Sequence, residues 1–338
     1  MKIVVDAFGS DRGESVMAEG SVLAVNADKS LTVIIVGYCD VINPELEKYS
    51  YDKDRIQVVD AKGKISNNDV PTLAIRQKKD SSLVKALEIT KEDPEVGGMV
   101  SSGSTGAVLT GAFLKIGRIK GILRPALCPL LPTLIEDKKV ALVDCGANMD
   151  CRPEHLEQFA LMGVSYMKTM GTEDPKVGLV SVGDEDKKGN ELTHEVFTRL
   201  KNQPINFVGN MEARYALSGN YDVLVCDGFV GNVMLKSIEG TAGMVMKMMK
   251  KAIYGSFWAK IGGLFMKKQL GQLKSSMDYH ENGGAVFLGV KKVMVKGHGS
   301  STAVSVKNSI LQAKTLAEKN LVANIEENLK SFGLAENE

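Results

Sequence analysis

One pattern recurs five times along the chain and restricts its fold more than any other feature. A β-branched apolar run stops abruptly in glycine and small polar residues. It is written GGMVSSGSTGA (97–107), KVALVDCGANMD (139–150), KVGLVSVGDEDKKG (176–189), YDVLVCDGFVGN (221–232) and KVMVKGHGSSTA (292–303). A short apolar run bounded by turns reads as a strand buried in a parallel sheet, with a loop at its carboxyl end. Ligands of open α/β sheets gather in the crevice outside those ends. Glycine lets the backbone approach a ligand closely, and consecutive free N–H groups form a concavity that favours anions. Five loops of one character therefore predict a single polar site for phosphate or another oxyanion.

The rest of the chain keeps the same rhythm. Strand-like runs at 2–6, 31–37 and 55–60 alternate with helical patterns at about 13–27 and 72–91. Further helices are expected near 105–117, 153–170, 190–202, 232–253 and 303–331, the last capped by a serine of GHGSS. The chain of 338 residues can form one large α/β domain or two joined halves. A net charge of +1 argues against a nucleic-acid binder, which carries a strong basic excess. The five cysteines are scattered and match no zinc pattern, so they read as reduced thiols of a cytoplasmic protein. The opening Met-Lys-Ile-Val-Val-Asp offers no signal-peptide core, and no apolar run is long enough to cross a bilayer.

Within the loops, GHGSS (297–301) follows a strand and precedes a helix, so Gly297, Gly299, Ser300 and Ser301 suit an anion. Thr302 stands where a dinucleotide fingerprint needs its third glycine, and no acidic partner follows at ribose spacing, which argues against NAD. His298, held between two glycines, suits proton transfer near neutrality. His155, His194 and His280 read as surface or capping residues. Ser102, Gly103, Ser104, Thr105 and Gly106 form a second anion turn, in which Ser104 or Thr105 also suits helix capping. The turn DCGANMD offers Asp144, Gly146 and Asn148, and GDEDKKG offers Lys188 turned inward from a mixed-charge run. Asn210, Glu212 and Arg214, then Asp227, Gly228, Gly231 and Asn232, complete the candidates. A metal site from Asp144, Asp184 and Asp227 is less expected than three capping carboxylates. Cys145 and Cys226 fit small residues at strand ends better than nucleophiles.

Residues 240–282 break the rhythm and read as a protruding amphipathic helical segment. Phe257, Ile261, Leu264 and Phe265 fall on one helical face with Trp258 at its margin, and Lys260 and Lys267 are expected opposite. Between Glu239 and Asp278 there are seven lysines and no acid, and between Glu95 and Glu136 only Lys115, Arg118, Lys120 and Arg124 carry charge. A basic helix with Trp and Phe suits an anionic membrane surface, and equally suits the protein's own core or a dimer partner.

Taken in order, VDAFGSD (5–11), SSGSTGA, VDCGAN with PEHLEQFALMG, GDEDKKGNE, FVGNMEAR, CDGFVGNVMLKSIEG and KGHGSS resemble the PlsX family of phosphate acyltransferases over nearly the whole length. Phe8, Ser10, Ser104 and Thr302 depart from the family pattern without removing a charged group. The resemblance implies a three-layer α/β/α fold with a large mixed, mostly parallel sheet shared by two interlocked halves. That fold is akin to isocitrate and isopropylmalate dehydrogenases and to phosphotransacetylase. It implies conversion of a long-chain acyl-acyl carrier protein and inorganic phosphate to acyl phosphate and free carrier, within phosphatidic acid synthesis. It also implies a homodimer with no metal or organic cofactor, cytoplasmic and peripheral to the membrane, that feeds a glycerol-3-phosphate acyltransferase. The 103–106 and 297–301 turns would then cradle phosphate, with Lys188 offsetting its charge. His298 would orient phosphate or protonate the leaving sulfur, and Asn148, Asn210 and Asn232 would bond substrate. The rivals are a phosphate acetyltransferase using acetyl-coenzyme A, a decarboxylating dehydrogenase of the same fold, and a non-catalytic membrane scaffold.

Overall fold

A computed structural model describes residues 1–271 and 283–332. The strands are β1 (Lys2–Asp6), β2 (Thr32–Gly37), β3 (Ile56–Asp60), β4 (Val96–Ser101), β5 (Ala126–Cys128), β6 (Leu130–Pro132), β7 (Lys139–Val143), β8 (Val177–Ser181), β9 (Phe207–Glu212), β10 (Val223–Val225), β11 (Ala285–Leu288) and β12 (Val293–Lys296). The five recurring apolar runs are β4, β7, β8, β10 and β12. Two sheets result, in the orders β3-β2-β1-β4-β12-β11-β5 and β6-β7-β10-β8-β9. Pairing is parallel except where β11 meets β12 and β5, and where β6 meets β7.

The two sheets join at one extended stretch, β5 to β6, interrupted by Pro129, which has no N–H to give. Across the interruption the Leu142 amide donates to the Pro129 carbonyl at 3.1 Å, and the Cys145 amide donates to the Leu127 carbonyl at 2.9 Å. The Asp144 side chain completes the seam. Its buried carboxylate accepts from the amides of Leu127 (2.9 Å), Cys145 (2.6 Å), Ala147 (3.1 Å) and Asn148 (2.6 Å), and from Asn148 Nδ2 (2.9 Å).

Helices cover both faces because alternate strand residues point to opposite sides. In β1, Ile3 and Val5 join a core with α1 (Glu14–Ala27) and α6 (Pro153–Met170) that runs under both sheets. Val4 faces a second core with α3 (Pro71–Gln77), α4 (Ser82–Glu92) and α5 (Thr105–Gly111, prolonged by a π turn to Ile116). A third core under the smaller sheet takes Val140, Leu142 and Leu224, with Met234 and Leu235 of α8 (Gly228–Tyr254). The three-layer, mostly parallel arrangement agrees with the reading from sequence.

Several boundaries differ from expectation. The helix expected over 72–91 is divided between α3 and α4 at residues 78–81, where Ser81 caps α4 through the Val84 amide. The helix expected over 303–331 is α10 (Ala303–Glu318) and α11 (Leu321–Ser331), divided at Asn320, whose φ of 54° is one that asparagine tolerates. Thr302, rather than a serine of GHGSS, caps α10, its Oγ1 accepting from the Ser305 amide at 3.2 Å. In the 240–282 segment, α8 continues to Tyr254 and α9 (Phe257–Phe265) folds back on it. Lys274, His280 and the rest of 272–282 lie outside the described residues. Lys260 and Leu264 line one groove toward α8, together with Lys267, rather than lying on opposite sides, because residues four apart on a helix are neighbours. Among the described residues, no helix is long and apolar enough to cross a membrane.

Asp144 is the test of the seam. Replacing it with alanine leaves five N–H donors without their carboxylate, one of them, the Leu127 amide, across the joint. The expected loss is about 3 kcal/mol or more, since a buried ionic or hydrogen-bonded partner is removed from one side only. A denaturant midpoint that moves by the equivalent of less than about 1 kcal/mol overturns this assignment.

Candidate active site

The seam leaves a cleft of about 180 Å³ between the sheet ends, lined by Thr105, Gly146, Asn232, Lys236, Lys296 and His298 among others. Four of the five recurrent loops meet there. The fifth, after β8, is carried outward, because β10 separates β8 from β7. Two glycines show how tightly the loops are fitted. Gly9 holds φ at 108°, and a Cβ on it would stand 2.2 Å from the Gly103 Cα. A Cβ on Gly231 would stand 2.0 Å from the Asp144 carbonyl oxygen. Neither position admits another residue without separating the loops.

On one wall, Ser104 precedes α5 without capping it through its side chain. Capping by Ser104 was the structural alternative for this turn, and it is not what the side chain does. The first amides of the helix therefore face outward as donors. The Ser102 hydroxyl beside them is buried and has no hydrogen-bond partner among the described residues. The opposite turn works differently. The Gly297 amide donates to the Ser101 carbonyl, Ser301 to the His298 carbonyl, and Ser300 to His298 Nδ1 at 3.2 Å. The amides of these three residues are engaged within the protein, the first with β4 and the others inside the turn. The turn also contributes side chains.

Those side chains are His298 and Lys296. His298 Nδ1 accepts from the Ser300 amide and lies 2.7 Å from the Ser300 hydroxyl. In the neutral ring this places the proton on Nε2. Burial holds the His298 pKa below the usual value, and the neighbouring Lys236 and Lys296 reinforce this. Lys296 donates from Nζ to the carbonyls of Ser102, at 3.4 Å, and Gly297. Burial lowers its pKa to about 8, against the opposing pull of Asp6. Asp6, at the end of β1, is pushed up to about 6 by burial. It accepts from the hydroxyls of Ser82 (2.5 Å) and Ser101 (2.7 Å) and from the Phe8 amide (3.3 Å). Lys236 stands one turn beyond Asn232 on α8 and pairs with Glu239 at 3.0 Å. The Asn232 side chain lies against Gly146, whose φ is 114°.

Other residues expected at the site serve the frame. Asp144 has its carboxylate filled by the seam donors, although burial raises its pKa. Asn148 uses Nδ2 on the Pro125 carbonyl (2.8 Å) and on Asp144, so it offers substrate no N–H. Asp227 caps α8 through the Val230 amide at 2.8 Å, and Gly228 packs on the Asn148 backbone. Lys188, Asn210, Glu212 and Arg214 do not line the cleft. Asn210 Nδ2 bonds the Glu185 carbonyl at 2.9 Å, and Arg214 pairs with Glu212 at 2.5 Å. Burial pushes the Cys145 and Cys226 thiols well up, which keeps them protonated. Among the described residues, no three His, Cys, Asp or Glu side chains are grouped as a metal ion would need.

Three residues missing from the sequence reading belong here: Asp6, Lys236 and Lys296. Lys296 and Asp6 each end a strand immediately before a glycine-bearing loop, and Lys236 follows Asn232 at helical spacing. Those positions were the available signal.

Comparison with known proteins gives this arrangement a family. Residues 1–324 match the family described as fatty acid synthesis protein. A phosphate acyltransferase of Clostridium perfringens is 46% identical over 98% of each chain. One from Clostridium novyi is 45% identical over 98% of this chain and 99% of its own. Among solved structures, a phosphotransacetylase from Streptococcus pyogenes superposes with a TM-score of 0.61 at 16% identity, covering 95% of this chain and 94% of the other. A branched-chain phosphotransacylase from Enterococcus faecalis V583 gives 0.58 at 14% identity, covering 94% and 99%. These likenesses concern the fold. The full-length sequence matches settle the rest: the chain belongs to the fatty acid synthesis protein family and, within it, to the phosphate acyltransferases.

Proposed function

We propose that the enzyme moves a long-chain acyl group from an acyl carrier protein thioester to inorganic phosphate, releasing acyl phosphate and free carrier. The observation that carries this reading is the cleft's set of donors. Lys296, Lys236, Asn232, His298 and Thr105 at the start of α5 line a space of about 180 Å³. Such a set suits a small, doubly charged oxyanion.

The chemistry asks little beyond placement. Phosphate is already nucleophilic at neutral pH, so no activated serine or cysteine is required. Lys296 takes the charge-offsetting part expected of Lys188 and holds phosphate beside the α5 amides. Its oxygen attacks the thioester carbonyl. The Asn232 amide, which lines the same cleft, donates to the resulting oxyanion, and donors of this kind supply much of an acyl transfer's rate. As His298 gives its Nε2 proton to the departing sulfur, Nδ1 takes up the proton that hydrogenphosphate loses, relayed by the Ser300 hydroxyl 2.7 Å away. The carrier's thiol then leaves and acyl phosphate remains in the cleft.

Two features favour a lipid-linked substrate over acetyl-coenzyme A. On α9, Phe257, Trp258, Leu264 and Phe265 are at least 70% exposed, and Ile261 is 37% exposed. Around them Lys247, Lys250, Lys251, Lys260, Lys267 and Lys268 form no ion pair among the described residues, so they can meet an acidic carrier or an anionic membrane. The other basic stretch is partly engaged, since Lys115 pairs with Glu88 at 2.8 Å and Arg118 covers the Phe113 ring. A homodimer is supported by an apolar groove of about 590 Å³ along α8, where Phe229 and Val233 are exposed.

The direct test supplies palmitoyl-acyl carrier protein, phosphate and hydroxylamine with EDTA and no nucleotide. Phosphate-dependent hydroxamate is expected, with acetyl-coenzyme A much the poorer donor; the reverse preference sinks the long-chain reading. His298→Ala should lower kcat by about 10²-fold, the scale of losing one general acid. For Lys296 the sign follows from its lowered pKa: the protonated form binds phosphate, so kcat/KM for phosphate should fall as pH rises through about 8. Lys296→Met should lower that parameter and flatten its alkaline limb, and an unchanged limb assigns the titration elsewhere. Phe257→Glu with Trp258→Glu should release the protein from phosphatidylglycerol vesicles; binding retained in sedimentation refutes membrane docking.

A further inference from the structure

Lys296 has a geometry that phosphate binding alone does not use. Two of the three valences on Nζ beyond Cε are directed at main-chain carbonyls, those of Ser102 and Gly297. The third points away from both, as an N–H in the ammonium and as the lone pair in the amine. The side chain lines the cleft, and among the described residues it forms no ion pair. Asp6 does not close on it, since its carboxylate is held by Ser82, Ser101 and Phe8. The charges acting on Lys296 are Asp6 and Asp11 from the β1 side and Lys236 from α8, with His298 in the adjoining turn. Lys236, the other amine in the cleft, is held by Glu239 at 3.0 Å. Burial brings Lys296 to about 8, and on that value about a tenth of it is free amine at neutral pH.

We propose that Lys296 is a self-modification site, acylated on Nζ by the acyl phosphate formed in the cleft. The inference rests on the acyl phosphate reading given above. An acyl phosphate is a mixed anhydride and acylates free amines. The Nζ lone pair attacks the carbonyl carbon and a C–N bond forms. The carbon–oxygen bond to phosphate breaks, and the oxygen keeps the electron pair. The surplus Nζ proton passes to the released phosphate, leaving a secondary amide and hydrogenphosphate. No oxidant, metal or second substrate enters. The amide resists phosphate and thiols, the cation that held phosphate is lost, and the acyl chain occupies the cleft. Product that is not removed therefore shuts down the enzyme that made it. A consuming reaction, transfer of the acyl group to an alcohol, keeps it active.

The experiment adds synthetic decanoyl phosphate to the full-length protein and follows intact mass, peptide mapping and remaining activity. One decanoyl group is expected on Lys296, gained at least about tenfold faster than on any surface lysine, because ordinary lysines near pKa 10.4 carry far less free amine. Labelling should accelerate from pH 6 to 8, slow in saturating inorganic phosphate, survive hydroxylamine as an amide, and track the loss of activity. Labelling spread over exposed lysines, labelling of Lys236 instead, or labelling indifferent to phosphate overturns the proposal. A hydroxylamine-labile label marks a thioester on cysteine and also overturns it. Because the acyl phosphate is supplied, the outcome does not depend on turnover. Failure of the enzyme to make acyl phosphate appears separately, as missing hydroxamate in the thioester assay.

Discussion

The Asp144 carboxylate is the constraint on which this structure turns. The edge stretch that links the two sheets cannot pair continuously through Pro129, because the ladder loses a donor there. The chain instead begins a second sheet, and the ends of the two must be held at a fixed distance. Asp144 does this with one side chain, taking amides from its own loop and from Leu127 across the joint. The site follows from that choice. The cleft lies where the two sheets meet, and its polar groups converge because the seam brings the ends of β4 and β12 to those of β7 and β10. Asp144 reads in the sequence as a substrate-binding or turn-capping carboxylate, and in the structure it is a fastener.

The recurrent strand-and-glycine pattern made the architecture legible, because buried parallel strands advertise themselves as β-branched runs and their ends as glycine. The site was legible in outline for the same reason. What was hidden depends on strand order. Nothing in the text of GDEDKKG reveals that β10 lies between β8 and β7, so Lys188 reads as a phosphate-facing cation although its loop is carried outward. The cationic strand-end residue was passed over because a lysine before a glycine turn also reads as a solvated end. Thr302 was taken for a departure from pattern, yet it is the cap of α10, and its use frees the serines before it for the turn around His298. Element boundaries failed where a single residue decides them: Ser81 as a cap, and Asn320 in the left-handed region.

The division of labour between the two anion-facing turns has a physical origin. A turn whose amides are partly engaged can aim side chains, and the 297–301 turn does so for His298, with Lys296 at the end of the strand before it. A turn that opens a helix leaves its first amides unused and can offer backbone, as 104–107 does. One anion thereby meets backbone donors on one wall and side-chain donors on the other, from loops locked together by the close approach of Gly9 to Gly103.

This also accounts for the ionisation pattern. Bringing Asp6, Lys296 and His298 into one partly desolvated space disfavours the charged form of each. Asp6 rises while Lys296 and His298 fall, with Lys296 still mostly protonated at neutral pH. A site in that condition attracts a dianion without holding it too firmly to react. When phosphate enters, its charge stabilises Lys296 as an ammonium, so substrate binding itself keeps the nucleophilic amine out of play. The group that binds phosphate is therefore protected by phosphate, and its exposure to acylation grows only when acyl phosphate is present and phosphate is not.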